Sequence, residues 1–199
     1  MKKFWILFLI CLFITCPVLG YPVTKNKPIT HSDGTIEYNF SKQSQVKASK
    51  ILYKFVLKEL NKTPKEAQDF ANITPKTVSA FEIDLNGDGK KEIIGIVFSA
   101  YYWGTAGHSL FILEEKGNTY QNIAYCLNFE PLNKFYVLNN KTYNYRDISF
   151  SGSSAYNFKN LTAKFDKSKY INIEQIKLFE ENLKNFSRYD VSEITDIKE

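Results

Sequence analysis

A chain of 199 residues with a formal net charge of +5 is long enough to bury a hydrophobic core, and its three cysteines are too few for a disulfide scaffold. The positive balance is too modest for a protein devoted to polyanions, so nucleic acid is not an expected partner. Thirteen Tyr and sixteen Phe, many of them in alternating patterns, point to a strand-rich fold.

Residues 1–20 have the form of a secretory signal: Met1-Lys2-Lys3, an apolar run from Phe4 to Ile14, then Val18 and Gly20 as small or compact residues before a cleavage point. The run is too short for a permanent membrane span, which needs about 20 apolar residues. Cleavage after Gly20 is expected, giving a periplasmic or secreted product. The alternative is lipidation at Cys16, for which Phe13-Ile14-Thr15 is a poor recognition sequence. Cleavage after Gly20 removes Cys11 and Cys16, so Cys126 is left as a lone thiol and reads as a small core residue. No later segment is apolar enough to be a transmembrane helix in the mature chain.

Residues 21–40 contain Pro22, Pro28 and Gly34 without a sustained period and are expected to form an extended leader ahead of a single domain spanning residues 41–199. From Ser41, a plausible N-cap, Ala48, Ile51, Leu52, Phe55 and Val56 share one helical face. A second short helix is expected at Thr63-Pro64-Lys65-Glu66, a capping box with Pro in the first turn, ending before Pro75. Strands follow at Val78 to Leu85, Glu92 to Tyr102, Ser109 to Glu115, Tyr120 to Leu127 and Phe135 to Leu138, with two more over Asp147 to Phe150 and Leu161 to Phe165. A last helix places Ile173, Ile176, Phe179, Leu183 and Phe186 on one face after an Asn172-x-x-Gln175 start that resembles a capping box. The fold class expected is α+β: an antiparallel β-sheet meander with N-terminal helices and a C-terminal helix.

The most specific motif is Asp84-Leu85-Asn86-Gly87-Asp88-Gly89-Lys90-Lys91-Glu92. Asp84, Asn86 and Asp88 put oxygens at alternate positions, Gly89 permits a tight reversal, Lys90 can offer its carbonyl, and Glu92 follows as a further carboxylate. Calcium is a hard cation that takes six to eight oxygens, and alternate spacing on a curled loop aims them inward. A hairpin turn built on Asn-Gly and Asp-Gly would need fewer acids. The stretch resembles the DxNxDGxxE loops of FG-GAP and integrin-type repeats, and its first half is similar to an EF-hand or dockerin loop. The twelfth position, where an EF-hand has Glu, is Gly95, and strands flank the loop. The resemblance implies a calcium site of Asp84, Asn86, Asp88, Lys90 and Glu92 between two strands.

The strand, glycine loop and strand from Glu92 to Leu113, followed by Tyr143-Asn144-Tyr145-Arg146-Asp147-Ile148 and Phe165-Asp166-x-x-x-Tyr170, resembles a diffuse group of small exported bacterial proteins of unassigned function. That implies architecture and export only. Around the glycine loop, Tyr102, Trp103 and His108 are candidates for a contact surface, with Arg146 and Asp147 as candidate ligand contacts or an ion pair. His108 and Ser109 cannot act as base and nucleophile, because neighbours on a strand point to opposite faces. Lys47, Lys50, Lys54 and Lys58 form a basic stripe on the first helix, for which a solvated face is the ordinary role.

The function expected from these features is binding: an exported calcium-binding interaction module, of which an inhibitor or immunity-type protein is one form, with another exported or envelope protein as partner. The alternative is a hydrolase of envelope material, with Asp84, Asp88 or Glu92 around a catalytic metal.

Overall fold

The computed structural model describes residues 27–40, 44–104, 107–125, 127–130, 134–151 and 161–186. The signal segment, both cleavage points, Ser41 and Cys126 lie outside the described residues.

Two antiparallel sheets and three helices make up the α+β fold. Helix α1 (Val46–Glu59) and helix α2 (Pro64–Ala71) lead into strands β3 (Val78–Ile83) and β4 (Glu92–Val97). Next come β5 (Trp103–Gly104), β6 (Gly107–Lys116), β7 (Thr119–Asn122) and β8 (Asn128–Phe129). These strands form one sheet in the order β3-β4-β6-β5, with β7 and β8 also paired to β6. The other sheet joins an early and a late segment of the chain: β1 (Ile29–Thr30) pairs with β2 (Ile36–Tyr38) and β2 with β9 (Phe135–Thr142), followed by β10 (Tyr145–Phe150), β11 (Leu161–Asp166) and β12 (Lys169–Ile171). Helix α3 (Ile173–Phe186) ends the described chain.

Alternation along β3, β4 and β6 explains the layering. Phe81, Ile83, Ile94, Ile96, Leu110 and Ile112 face the other sheet, packing with Phe135, Val137, Ile148 and Phe150. Val78, Ala80, Ile93, Val97, Phe111 and Leu113 face the opposite way, onto Ala48, Leu52 and Val56 of α1 and Ala67 of α2. A sheet buried on both faces reads as a nearly continuous apolar run, which is what Ile93-Ile94-Gly95-Ile96-Val97 is. The sandwich core is dominated by rings: Phe135 meets Phe40, Phe81, Phe129 and Phe150 with centroids 5.6, 5.9, 5.9 and 6.2 Å away. Edge-to-face and offset contacts at such separations add to area burial.

Local signals explain most ends. Thr63 and Glu66 form the reciprocal capping box, the Thr63 N–H donating to Glu66 Oε2 at 2.7 Å and the Glu66 N–H to Thr63 Oγ1 at 3.3 Å. The α3 start is half of the expected box. Asn172 Oδ1 accepts from the Gln175 N–H at 2.9 Å, but the Gln175 amide instead brackets the backbone of Asn128, tying α3 to β8.

Several boundaries differ from the sequence reading. The stretch read as leader supplies β1 and β2, with Tyr38 and Phe40 in the sandwich core, so the folded domain begins before residue 41. One meander becomes two sheets, because β2 and β9 find each other across the whole first half of the chain. The strand expected from Glu92 to Tyr102 stops at Val97. Ser99 then caps a 3-10 turn and its hydroxyl donates to the Ala71 carbonyl at 2.6 Å. The strand expected from Tyr120 to Leu127 ends at Asn122. Beyond it, Ile123 and Tyr125 bond to Tyr170 of β12 and join the two sheets at that edge.

Candidate functional site

The loop between β3 and β4 is shaped by its own side chains. Asp84 Oδ1 accepts from the Gly87 N–H at 2.6 Å and Oδ2 from the Gly89 N–H at 3.0 Å. Asn86 Oδ1 accepts from the Asp88 N–H at 2.9 Å, and Asp88 Oδ1 from the Lys90 N–H at 2.8 Å. These bonds to backbone two to five residues on curl the chain. Gly87 and Gly89 both have φ near +85°, a conformation that side chains rarely tolerate.

Glu92 closes the base of the loop. On β4 it shares the inward face of Ile94 and Ile96, is 2% exposed, and accepts the Leu85 N–H at 2.8 Å. Burial pushes its carboxyl up to about 7, against the lowering effect of that hydrogen bond, and the charges of Asp88 and Asp84 raise it further. The loop also touches the facing sheet: the Arg146 N–H donates to the Leu85 carbonyl at 2.8 Å, and the Asn86 amide lies 3.3 Å from the Tyr145 hydroxyl. Tyr145 in turn donates to Glu114 at 2.7 Å, and burial pushes its phenol up to about 12.

Among the described residues, no three His, Cys, Asp or Glu side chains converge as a metal-binding group. The set expected for calcium is mixed, including the Asn86 amide oxygen and the Lys90 carbonyl. A carboxylate oxygen that accepts one N–H keeps a second lone pair, so the hydrogen bonds of Asp84 and Asp88 do not spend their capacity for a cation.

A stability test follows from Glu92. In calcium-free buffer the folded chain keeps this proton to about pH 7, while the unfolded chain releases it near its ordinary value of 4.5. The folded state therefore binds more protons within that window, and stability falls as pH rises from about 4.5 to about 7, by at most about 3 kcal/mol. Urea unfolding across this range should show the decline, and Glu92→Gln should flatten it.

The other candidates separate. Trp103 of β5 lies opposite His108 of β6, their rings stacked at 5.8 Å, and Trp103 is 62% exposed. His108 Nδ1 donates to the Val97 carbonyl at 3.2 Å, its ring meets Phe98 edge-on, and burial pushes its pKa down, so it is a neutral support for the tryptophan. Tyr102 turns away, packing edge-on against Phe111 beneath the helices.

Arg146 serves as a strut. Its guanidinium donates to the carbonyls of Leu138 and Gly34 at 2.6 Å and of Val137 at 3.2 Å, filling the irregularity where β9 and β10 shift register. Asp147 does not pair with it. Asp147 is 5% exposed and its Oδ1 has no hydrogen-bond partner among the described residues. Tyr170, wholly buried, donates its hydroxyl to the Arg146 carbonyl at 2.6 Å, and burial, then the charges of Glu92 and Asp147, raise its phenol strongly. This inward polar group of Glu92, Asp147 and Tyr170 was not legible as a group in the sequence. Each member stood in a different motif, Glu92 in the loop, Asp147 in Tyr143 to Ile148 and Tyr170 in Phe165-Asp166-x-x-x-Tyr170, and nothing in their spacing joins them.

Compared with protein-family models, curated proteins and solved structures, the chain matches none. Among the described residues no helix is long and apolar enough to cross a membrane.

Proposed function

We propose that this is an exported calcium-binding interaction module, in which the Asp84 to Glu92 loop holds one calcium ion that fastens the two sheets together. The observation carrying the reading is the loop itself: three side chains at alternate positions already curl it through backbone N–H groups, over the buried carboxyl of Glu92. A cation there would offset the repulsion among Asp84, Asp88 and Glu92. Loop contacts to Arg146 and Tyr145 would pass that gain to the facing sheet. Asp84, Asn86 and Asp88 would supply side-chain oxygens, Lys90 its carbonyl and Glu92 the last carboxylate. The ion's role in this reading is structural, since all of its ligands come from the loop itself.

The partner in this reading is another exported or envelope protein, met through the exposed indole of Trp103 on its His108 support. Exposed Trp held in one orientation is a common energetic anchor of interfaces. The test is a thermal melt with excess calcium against chelator, with magnesium as control. Calcium should raise the midpoint of the native chain and leave Asp88→Ala unmoved; equal midpoints for the native chain in calcium and chelator would discard the metal. A pull-down from envelope extract with native and Trp103→Ala chains then tests the partner.

A further inference from the structure

We propose that the outer face of the helix layer docks on an anionic lipid bilayer. The inner face of α1 is committed to the sheet through Ala48, Leu52 and Val56. Its outer face carries Lys47, Lys50, Lys54 and Lys58 at steps of three and four, so the ammonium groups lie along one side. Lys47 pairs with Glu82 at 2.9 Å. Lys50, Lys54 and Lys58 are exposed and have no ion pair among the described residues.

Besides Glu82, the exposed Glu115 acts on Lys47, and the other acids on this side are few and mostly engaged. Glu66 is held in its capping box, and Asp69 pairs with Lys65 at 2.6 Å. Glu59, the one acid of α1, sits in its last turn and acts on Tyr102. Long lysine stems over a helix reach headgroup phosphates while the helix stays packed.

At the end of α1 the row runs into exposed rings. Lys62 Nζ stands 4.7 Å over the ring of Phe70, Phe70 meets Tyr101 at 5.2 Å, and both rings are 53% exposed. Aromatic residues beside lysine are the composition favoured at headgroup depth. Val46 and Ile51 line a shallow groove between Lys47, Lys50 and Lys54, adding apolar area beside the charge. Nucleic acid fits less well, since the rings sit at one end of the row and not between the cations, and among the described residues no arginine fork lies on this face. The surface is separate from the calcium loop.

Sedimentation of the full chain with vesicles of phosphatidylglycerol and phosphatidylcholine, against phosphatidylcholine alone, tests this in chelator. Binding should require the anionic lipid and weaken with salt. Each lysine at the surface is worth roughly fivefold, so Lys50→Glu/Lys54→Glu/Lys58→Glu should lose about a hundredfold or more. The three positions are exposed, so the melting midpoint should hold, and the matching triple Arg variant should bind as the native chain does. Phe70→Ser/Tyr101→Ser should weaken binding with the charge intact. All variants are repeated on a chain beginning at Tyr21, because the apolar run of residues 1–20 would bind a bilayer of either composition on its own. Asp88→Ala should bind vesicles normally, which separates this surface from the loop. Equal binding to neutral vesicles, an unchanged triple Glu variant, or displacement by a single-stranded oligonucleotide in preference to lipid would overturn the proposal.

Discussion

Gly95→Ala is expected to destabilise the fold by about 3 kcal/mol, lowering the melting midpoint by roughly 6–12 °C for a chain of this size. A Cβ built at Gly95 would lie 2.6 Å from the Cβ of Ala80, 2.6 Å from Leu52 Cδ2 and 2.7 Å from the Ser79 carbonyl oxygen. Leu52 can swing its terminal methyl, but Ala80 and the Ser79 backbone belong to the neighbouring strand and cannot. Gly95 stands directly opposite Ala80 in the register of β3 and β4, at the place where α1 rests on the sheet. The substitution therefore lifts the helix or bends the strand pair. Urea unfolding of Gly95→Ala, Ala80→Gly and the double variant measures this. The double variant should recover part of the loss, because removing the opposing methyl opens one of the three contacts. Additive losses would place the strain elsewhere.

The second large effect is expected from Asp84→Ala in the presence of calcium. Without metal it removes the acceptors for the Gly87 and Gly89 N–H groups, costing about 2 kcal/mol for two partly exposed bonds to a charged oxygen. In the calcium site proposed above it would also remove the first ligand. A site filled at a hundredfold excess over its dissociation constant contributes about 2.7 kcal/mol, which the variant forfeits. The combined loss of roughly 5 kcal/mol is read as a midpoint that falls in chelator, falls further relative to the native chain in calcium, and no longer answers to the metal. Asp84→Asn separates the parts: its amide oxygen can still accept one N–H, so it should restore stability in chelator more than it restores the response to calcium. If both variants respond to calcium as the native chain does, the ion is not held here.

Features written in adjacent residues were legible in the sequence, and long-range pairings were not. The capping box of Thr63 and Glu66, the periodic face of α1 and the apolar strands on both sides of the loop needed only local chemistry. Alternation in β3, β4 and β6 showed that these strands have buried faces, but it does not say what lies on each face. That is why one sheet was expected where two exist. Residues 29–38 looked like leader because their strands are two and three residues long, below any window in which alternation can be counted. Gly95 illustrates the same limit. In sequence it counted against an EF-hand because a carboxylate was missing, and the structure gives it a positive reason, the close approach of α1.

For the site, the oxygen-bearing spacing of the loop was readable, whereas Glu92 was read only as its closing carboxylate and the structure buries it in phase with Ile94 and Ile96. Arg146 and Asp147 looked like an adjacent pair of surface charges. The register shift between β9 and β10 sends one to three backbone carbonyls and buries the other. No sequence pattern marks that shift.

The pairing of β2 with β9 also sets an order of assembly. Residues 44–130 contain α1, α2 and every strand of the helix-covered sheet, so this unit closes through contacts near in sequence. The other sheet must join Ile36 to Val137, roughly a hundred residues apart, before β10 to β12 can settle beside them. Non-local closure of that kind is slow. A chain emerging from its N-terminus therefore holds the β1–β2 pair without its β9 neighbour, with Tyr38 and Phe40 covered only on the side of Phe81 and Phe129, until its last third arrives. The interval before β9 appears is when this protein is most exposed to misassembly and to a chaperone's grip.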